Sequence, residues 1–110
     1  MSQEVTLTTL QETAYEVASL YRRAGGLKGY TTWTSRDYAQ GFSKDVGDLQ
    51  NILMAREKLR DGDGSDETLA HELSDCLYSI LVIAKTEGID LQTAFMQNMN
   101  MLKSKIEEQL

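Results

Sequence analysis

The 110-residue sequence has no proline and only one cysteine, one histidine and one tryptophan. Without proline, no helix is interrupted by a missing backbone donor or a ring clash. The single cysteine, Cys76, cannot form an intrachain disulfide, which suits a reducing compartment, so a cytoplasmic location is expected. Positive charge is also scarce: 11 Lys and Arg stand against 17 Asp and Glu, for a net charge of −6. An acidic surface repels nucleic-acid backbones, so no nucleic-acid partner is expected. Long apolar runs are missing. The longest, Ile80 to Ala84, is far too short to cross a bilayer, so no membrane partner is expected either. The opening MSQEVTLTTL lacks a basic, apolar leader, and none is expected to be processed.

What remains is an ordinary globular balance, 41% hydrophobic and 25% charged, of a length that fits one domain with a thin core. Abundant Leu, Ala, Glu, Gln and Met favour an all-α fold. The spacing predicts four helices. The first runs from about Thr8 to Arg23, with Leu10, Ala14, Val17 and Tyr21 at the helical period and Gly25-Gly26 at its end. A loop rich in glycine, threonine and aromatics follows, and Ser35 is expected to cap the second helix, about Arg36 to Leu59. Its stripe is Phe42, Val46, Leu49 and Leu53. The turn-rich DGDGSDE segment, Asp61 to Glu67, separates it from the third helix, about Glu67 to Glu87, capped by Ser65 or Asp66 and ended by Gly88. Asp90 caps a fourth helix whose stripe is Leu91, Phe95, Asn98, Leu102 and Ile106.

The third helix is apolar on nearly every side from Leu73 to Ala84. A helix of that kind must be buried all round, which one small four-helix chain can hardly manage. The expected architecture is therefore a four-helix bundle completed by homo-oligomerisation, as a homodimer or homotetramer.

Two acidic pairs stand out. Asp45 and Asp48 are three apart on the second helix, and Glu72 and Asp75 are three apart on the third. That spacing puts the two side chains of a pair on neighbouring ridges of one face. Each pair flanks its own apolar stripe on the same side. If the stripes pack antiparallel, the four carboxylates converge. An empty cluster of four would repel itself and take up protons. A hard divalent cation such as magnesium would remove that repulsion and could bridge to phosphates. The alternative is a solvated acidic face, which is how Glu12 and Glu16 on the first helix read.

At these residues the sequence resembles the MazG family of all-α nucleoside triphosphate pyrophosphohydrolases, whose pattern is Glu-x-x-Glu followed, after a gap, by Glu-x-x-Asp. The segment KDVGDLQNIL carries the first half, with Asp45 and Asp48 where the family has glutamates. The block HELSDCLYSILVIAKTEGIDLQTAF carries the second, with Glu72 and Asp75. The resemblance spans nearly the whole chain. It implies a MazG-like bundle in which Asp45, Asp48, Glu72 and Asp75 bind magnesium, and a substrate that is a nucleoside triphosphate split into the monophosphate and pyrophosphate, as in clearing unwanted nucleotides. It also implies assembly as dimers or tetramers. Two departures bear on activity. Each first-pair aspartate is one methylene shorter than glutamate. The last helix has Asn98 and Leu102 where the family commonly carries a lysine and an asparagine that contact phosphates, so Asn98 and Lys105, the cation on that stripe, are the side chains expected to bind substrate there. These departures keep a second reading open: a helical interaction or regulatory module on the same scaffold, without turnover.

Among other residues, Tyr30 and Trp33 offer rings that either stack on a base, Trp33 being taken as substrate-binding, or pin the loop to the core. DGDGSDE resembles a calcium loop, but Asp66 occupies the position that needs glycine, so it reads as a solvated, capped turn. His71 is expected to lie on a different face from Glu72, and Cys76 to be a small buried hydrophobe.

Overall fold

A computed structural model describes residues 4–110, and among them there are four α-helices and no strand. The first helix, α1, spans Leu7–Leu27. Thr6 caps it, with Thr9 answering in a reciprocal capping box. The helix runs through Gly25 and Gly26 instead of stopping there. It ends where Gly29 takes a left-handed φ of 79°, a conformation that a residue without Cβ adopts freely.

Helix α2 spans Ser35–Arg56 and is capped by Thr34, not Ser35. The Thr34 hydroxyl accepts from the Asp37 amide, and the Asp37 carboxylate accepts from the Thr34 amide at 2.8 Å. That shared pair holds the Asp37 carboxyl below its ordinary range. Ser35 does other work: its hydroxyl donates to Glu87 at 2.7 Å. Helix α3 spans Asp66–Thr86 with Ser65 as its cap. It closes at Gly88, whose φ is 72°, as the Ile89 amide bonds back to the Ala84 carbonyl. Helix α4 spans Leu91–Glu107, capped by Asp90.

Helices α2 and α3 form an antiparallel pair and make the largest interface of the fold. Both ends of the pair are tied. Ser35 reaches Glu87 at one end, and Arg56 donates to Asp66 and to the Gly64 carbonyl, both at 2.9 Å, at the other. These ties fix the register that sets Asp45 opposite the Glu72–Asp75 turn. Helix α1 packs on the other flank of α3. Its small Ala14 and Ala18 let the backbones approach, and they enclose Leu81 and the fully buried Val82.

The core is thin, as its size demands. Leu73, Leu77 and Ile80 on α3 remain two-fifths to one-half exposed. Helix α4 has its main contact with α1, where Gln92 accepts from the Thr8 amide and Leu91 joins the core edge. Beyond that turn Phe95, Leu102 and Ile106 are about half exposed. No described helix is long and apolar enough to cross a membrane.

Candidate metal centre and aromatic cavity

The α2–α3 register brings carboxylates together across the interface. Asp45 from α2 and Glu72 and Asp75 from α3 each offer an oxygen, and the three oxygens lie within 4.8 Å of one another. Two ligands on one magnesium ion, each at about 2.1 Å, sit roughly 3 to 4.2 Å apart. The cluster therefore needs only a small contraction to close on a hard cation.

Glu72 is the deepest of the three. It is 9% exposed, and its Oε1 is buried without a hydrogen-bond partner. Burial pushes its carboxyl above the ordinary carboxylate range, and the charges of Asp45, Asp48 and Asp75 add to the rise. An unpaired buried carboxylate oxygen facing two other carboxylates is costly unless a cation or proton joins it. Both its position and its chemistry thus fit a cation ligand.

The fourth expected acid is not in this set. Asp48 turns along its own helix to Lys44, whose Nζ lies 3.0 Å from its carboxylate. That contact raises the Lys44 ammonium's pKa, and the nearby charges of Asp45 and Glu72 raise it further. Asp75 in turn lies 3.3 Å from His71 Nε2, one helical turn away. His71 is thus a neighbour of the cluster through Asp75, a pairing that the i, i+4 spacing could have revealed. Cys76 is buried, as its stripe position implied, and burial together with the Glu72 charge pushes its thiol up.

The acidic turn before α3 is built for capping. Asp63 accepts from the Ser65 amide and from the Thr68 hydroxyl, which hold its carboxyl low. Glu72 stays inside α3.

A second feature adjoins the same helix pair. The 30–33 loop folds over the end of α1 and makes a half-open cavity of about 400 Å³. Tyr21, Tyr30, Trp33, Tyr38 and Tyr78 line it together with the Arg22 side chain. Trp33 meets Tyr38 edge-to-face at 5.2 Å, and Tyr38 meets Tyr78 at 6.1 Å. Burial, and then the Tyr38 hydroxyl, pushes the Tyr78 phenol upward, so it stays a neutral donor across the physiological range. Tyr78 is one turn along α3 from Asp75, so one helix contributes both to the cavity and to the acids. The sequence had singled out Tyr30 and Trp33. Tyr38 and Tyr78 were hidden in it, because their meeting depends on how α2 packs against α3.

The remaining expected residues, Asn98 and Lys105, are exposed on α4. The main contact of that helix is with α1, whereas the acids lie on the α2–α3 pair. In one chain, these side chains therefore belong to a different part of the surface. Compared with known proteins, the chain matches no family model, and neither a curated protein nor a solved structure aligns with it significantly.

Proposed function

We propose that the chain is a magnesium-dependent nucleoside triphosphate pyrophosphohydrolase, as its resemblance to the MazG family implies, converting the triphosphate and water to the monophosphate and pyrophosphate. One observation carries the reading: the buried, unpartnered Glu72 oxygen in reach of Asp45 and Asp75 across two helices. A solvated acidic face would have no reason to desolvate one of its carboxylates.

In this reading Asp45, Glu72 and Asp75 hold the metal. Asp48 joins them if its contact with Lys44 opens. Both partners of that contact are substantially exposed, so its release costs little. A magnesium ion held by these residues would supply positive charge against the phosphates and Lewis acidity for activating water. The aromatic cavity beside the acids supplies apolar walls and ring edges for a base, with Trp33 as the exposed ring at its mouth. Arg22 brings a cation to the same cavity.

A second reading has its own support. Asp48 is withheld by Lys44, and Asn98 and Lys105 stand on a helix that packs away from the acids. A helical interaction module without turnover would show both features. Pyrophosphate release from a panel of common and modified nucleoside triphosphates, with and without magnesium, separates the two. Release that disappears in Glu72→Ala and Asp75→Asn supports the enzyme. No release from any triphosphate, with magnesium binding that Glu72→Ala leaves unchanged, refutes it.

A further inference from the structure

We propose that the aromatic cavity selects a 6-oxopurine base, guanine or hypoxanthine, and that Arg22 is the residue that reads the O6 and N7 edge of that base. The inference rests on the reading that the cavity takes the base of a nucleotide, and adds which base.

The cavity is formed before any ligand arrives. The Tyr30 amide donates to the Gly25 carbonyl at 2.9 Å, and a Cβ on Gly25 would lie 3.6 Å from the Tyr30 side chain. Trp33 rests against Gly41 in the same way, at 3.4 Å. Two glycines thus seat the two loop rings, and a ligand is spared the cost of ordering them. Tyr21, Tyr30 and Trp33 are nonetheless each more than half exposed. They surround a space of about 400 Å³, within the range of roughly 300–1000 Å³ of pockets that enclose small ligands. Stacking grows with the area of ring in contact, so a two-ring purine gains more from such walls than a one-ring pyrimidine.

Polar groups then choose among the purines. No carboxylate, amide or imidazole side chain lines the cavity. Its tyrosine and threonine hydroxyls can donate or accept. The two side-chain groups of fixed sense, the Arg22 guanidinium and the Trp33 indole N–H, only donate. A guanidinium fork is satisfied by two adjacent acceptors. Guanine and hypoxanthine present O6 beside N7. Adenine puts an amine, a donor, where that oxygen stands, uracil offers O4 alone, and cytosine offers a donor. Donor facing donor leaves both groups unpaired, which a desolvated site penalises.

Arg22 is free for this task. Its guanidinium carbon lies 6.0 Å from the centre of the Tyr15 ring, and a contact with the face of a ring leaves the N–H groups at the guanidinium edge open. Among the described residues no acid forms an ion pair with it. It is also the one charged side chain on the cavity.

Equilibrium dialysis of the full chain against IMP, GMP, AMP, CMP and UMP, in chelator, tests this. All five carry the same phosphate, so differences among them report the base. One bidentate pair discriminates by roughly 5- to 150-fold. IMP and GMP are therefore expected to bind at least about tenfold more tightly than AMP, CMP or UMP. Arg22→Met, which keeps an unbranched apolar stem, should bring IMP within about twofold of AMP while AMP binding holds. Arg23→Met, the neighbouring arginine that does not line the cavity, should leave the ratio unchanged. Equal binding of IMP and AMP overturns the proposal, and so does a ratio that survives in Arg22→Met. Loss of IMP and AMP binding to the same degree in Arg22→Met overturns it as well, because Arg22 then serves the phosphate. No binding of IMP at millimolar concentration also overturns it. Neither metal nor turnover enters the measurement. Selective IMP binding without pyrophosphate release from any triphosphate would leave this inference standing and refute the enzyme, and magnesium-dependent release with equal IMP and AMP binding would do the reverse.

Discussion

Replacing Glu72 by glutamine should stabilise the metal-free protein. Glu72 is nearly buried, one of its oxygens has no partner, and Asp45 and Asp75 lie within reach. Leaving a buried polar group unsatisfied costs about 1–3 kcal/mol, and more when it is charged. Repulsion from the two partly exposed aspartates adds to this, though solvent screens it and protonation caps it. Glutamine keeps the shape, loses the charge and offers N–H donors to both aspartates. A gain of about 2 kcal/mol at pH 8 in the presence of a chelator is the expected net effect. For a domain of this size that is a rise in Tm of roughly 8 °C or more. The pH dependence follows from the same cause. The folded-state carboxyl is held above its free value of 4.5. Below that free value both states are protonated and the wild type bears no penalty. As pH rises through the folded-state value, the unfolded chain has released its proton more readily, so wild-type stability falls and then levels off. The Tm difference between Glu72→Gln and wild type should therefore be small at about pH 4 and fully developed by pH 8. Magnesium should reverse the order, raising Tm of the wild type and not of the variant. Thermal unfolding at fixed protein concentration, with chelator or with magnesium, reads all three. If Glu72→Gln is less stable in chelator at pH 8, or magnesium stabilises both proteins equally, the account of a desolvated cation ligand is wrong.

Two glycines should respond oppositely to alanine. A Cβ on Gly64 would lie 2.8 Å from the Arg56 backbone nitrogen, so Gly64→Ala should cost about 1–3 kcal/mol by chemical denaturation and loosen the α2–α3 tie. Gly47 lies within α2 and its Cβ would meet nothing within 4 Å, so Gly47→Ala should gain about 0.5–1 kcal/mol. A loss instead would mean that a partner approaches that face. Val82 is fully buried between α1 and α3. Its truncation to alanine should cost about 2 kcal/mol in the same measurement, and a cost under 0.5 kcal/mol would mean that the core there is not packed. Trp33 is the sole tryptophan and is half exposed at the cavity mouth. Its fluorescence should change on adding a nucleoside monophosphate, and Trp33→Ala should raise KM with little change in kcat. An unchanged emission spectrum at saturating nucleotide would remove the ring from the site.

Much of the fold was legible in one dimension because helix periodicity and capping are local. The four helices, the Ser65 and Asp90 caps and the Gly88 stop follow from residues within a turn of each other. The misjudged boundaries were local competitions too. Thr34 and Asp37 form the capping box that Ser35 was expected to begin, and the first helix runs through Gly25 and Gly26 because a left-handed stop comes only at Gly29. The acid pairs were legible as pairs, since a spacing of three sets one helical face.

Which acids meet was not legible. The sequence by itself determined an all-helical chain with carboxylates flanking two apolar stripes. Tertiary structure decided that Asp45 crosses to Glu72 and Asp75, while Asp48 turns to Lys44. That choice depends on the register of two antiparallel helices, which is set by ties some 50 residues apart in the chain at one end and 10 at the other. Only the packed structure gathered Tyr38 and Tyr78 beside Trp33, and only there does α4 leave the bundle. Periodicity says which side of a helix is apolar. It does not say which helix, of this chain or another, will cover it.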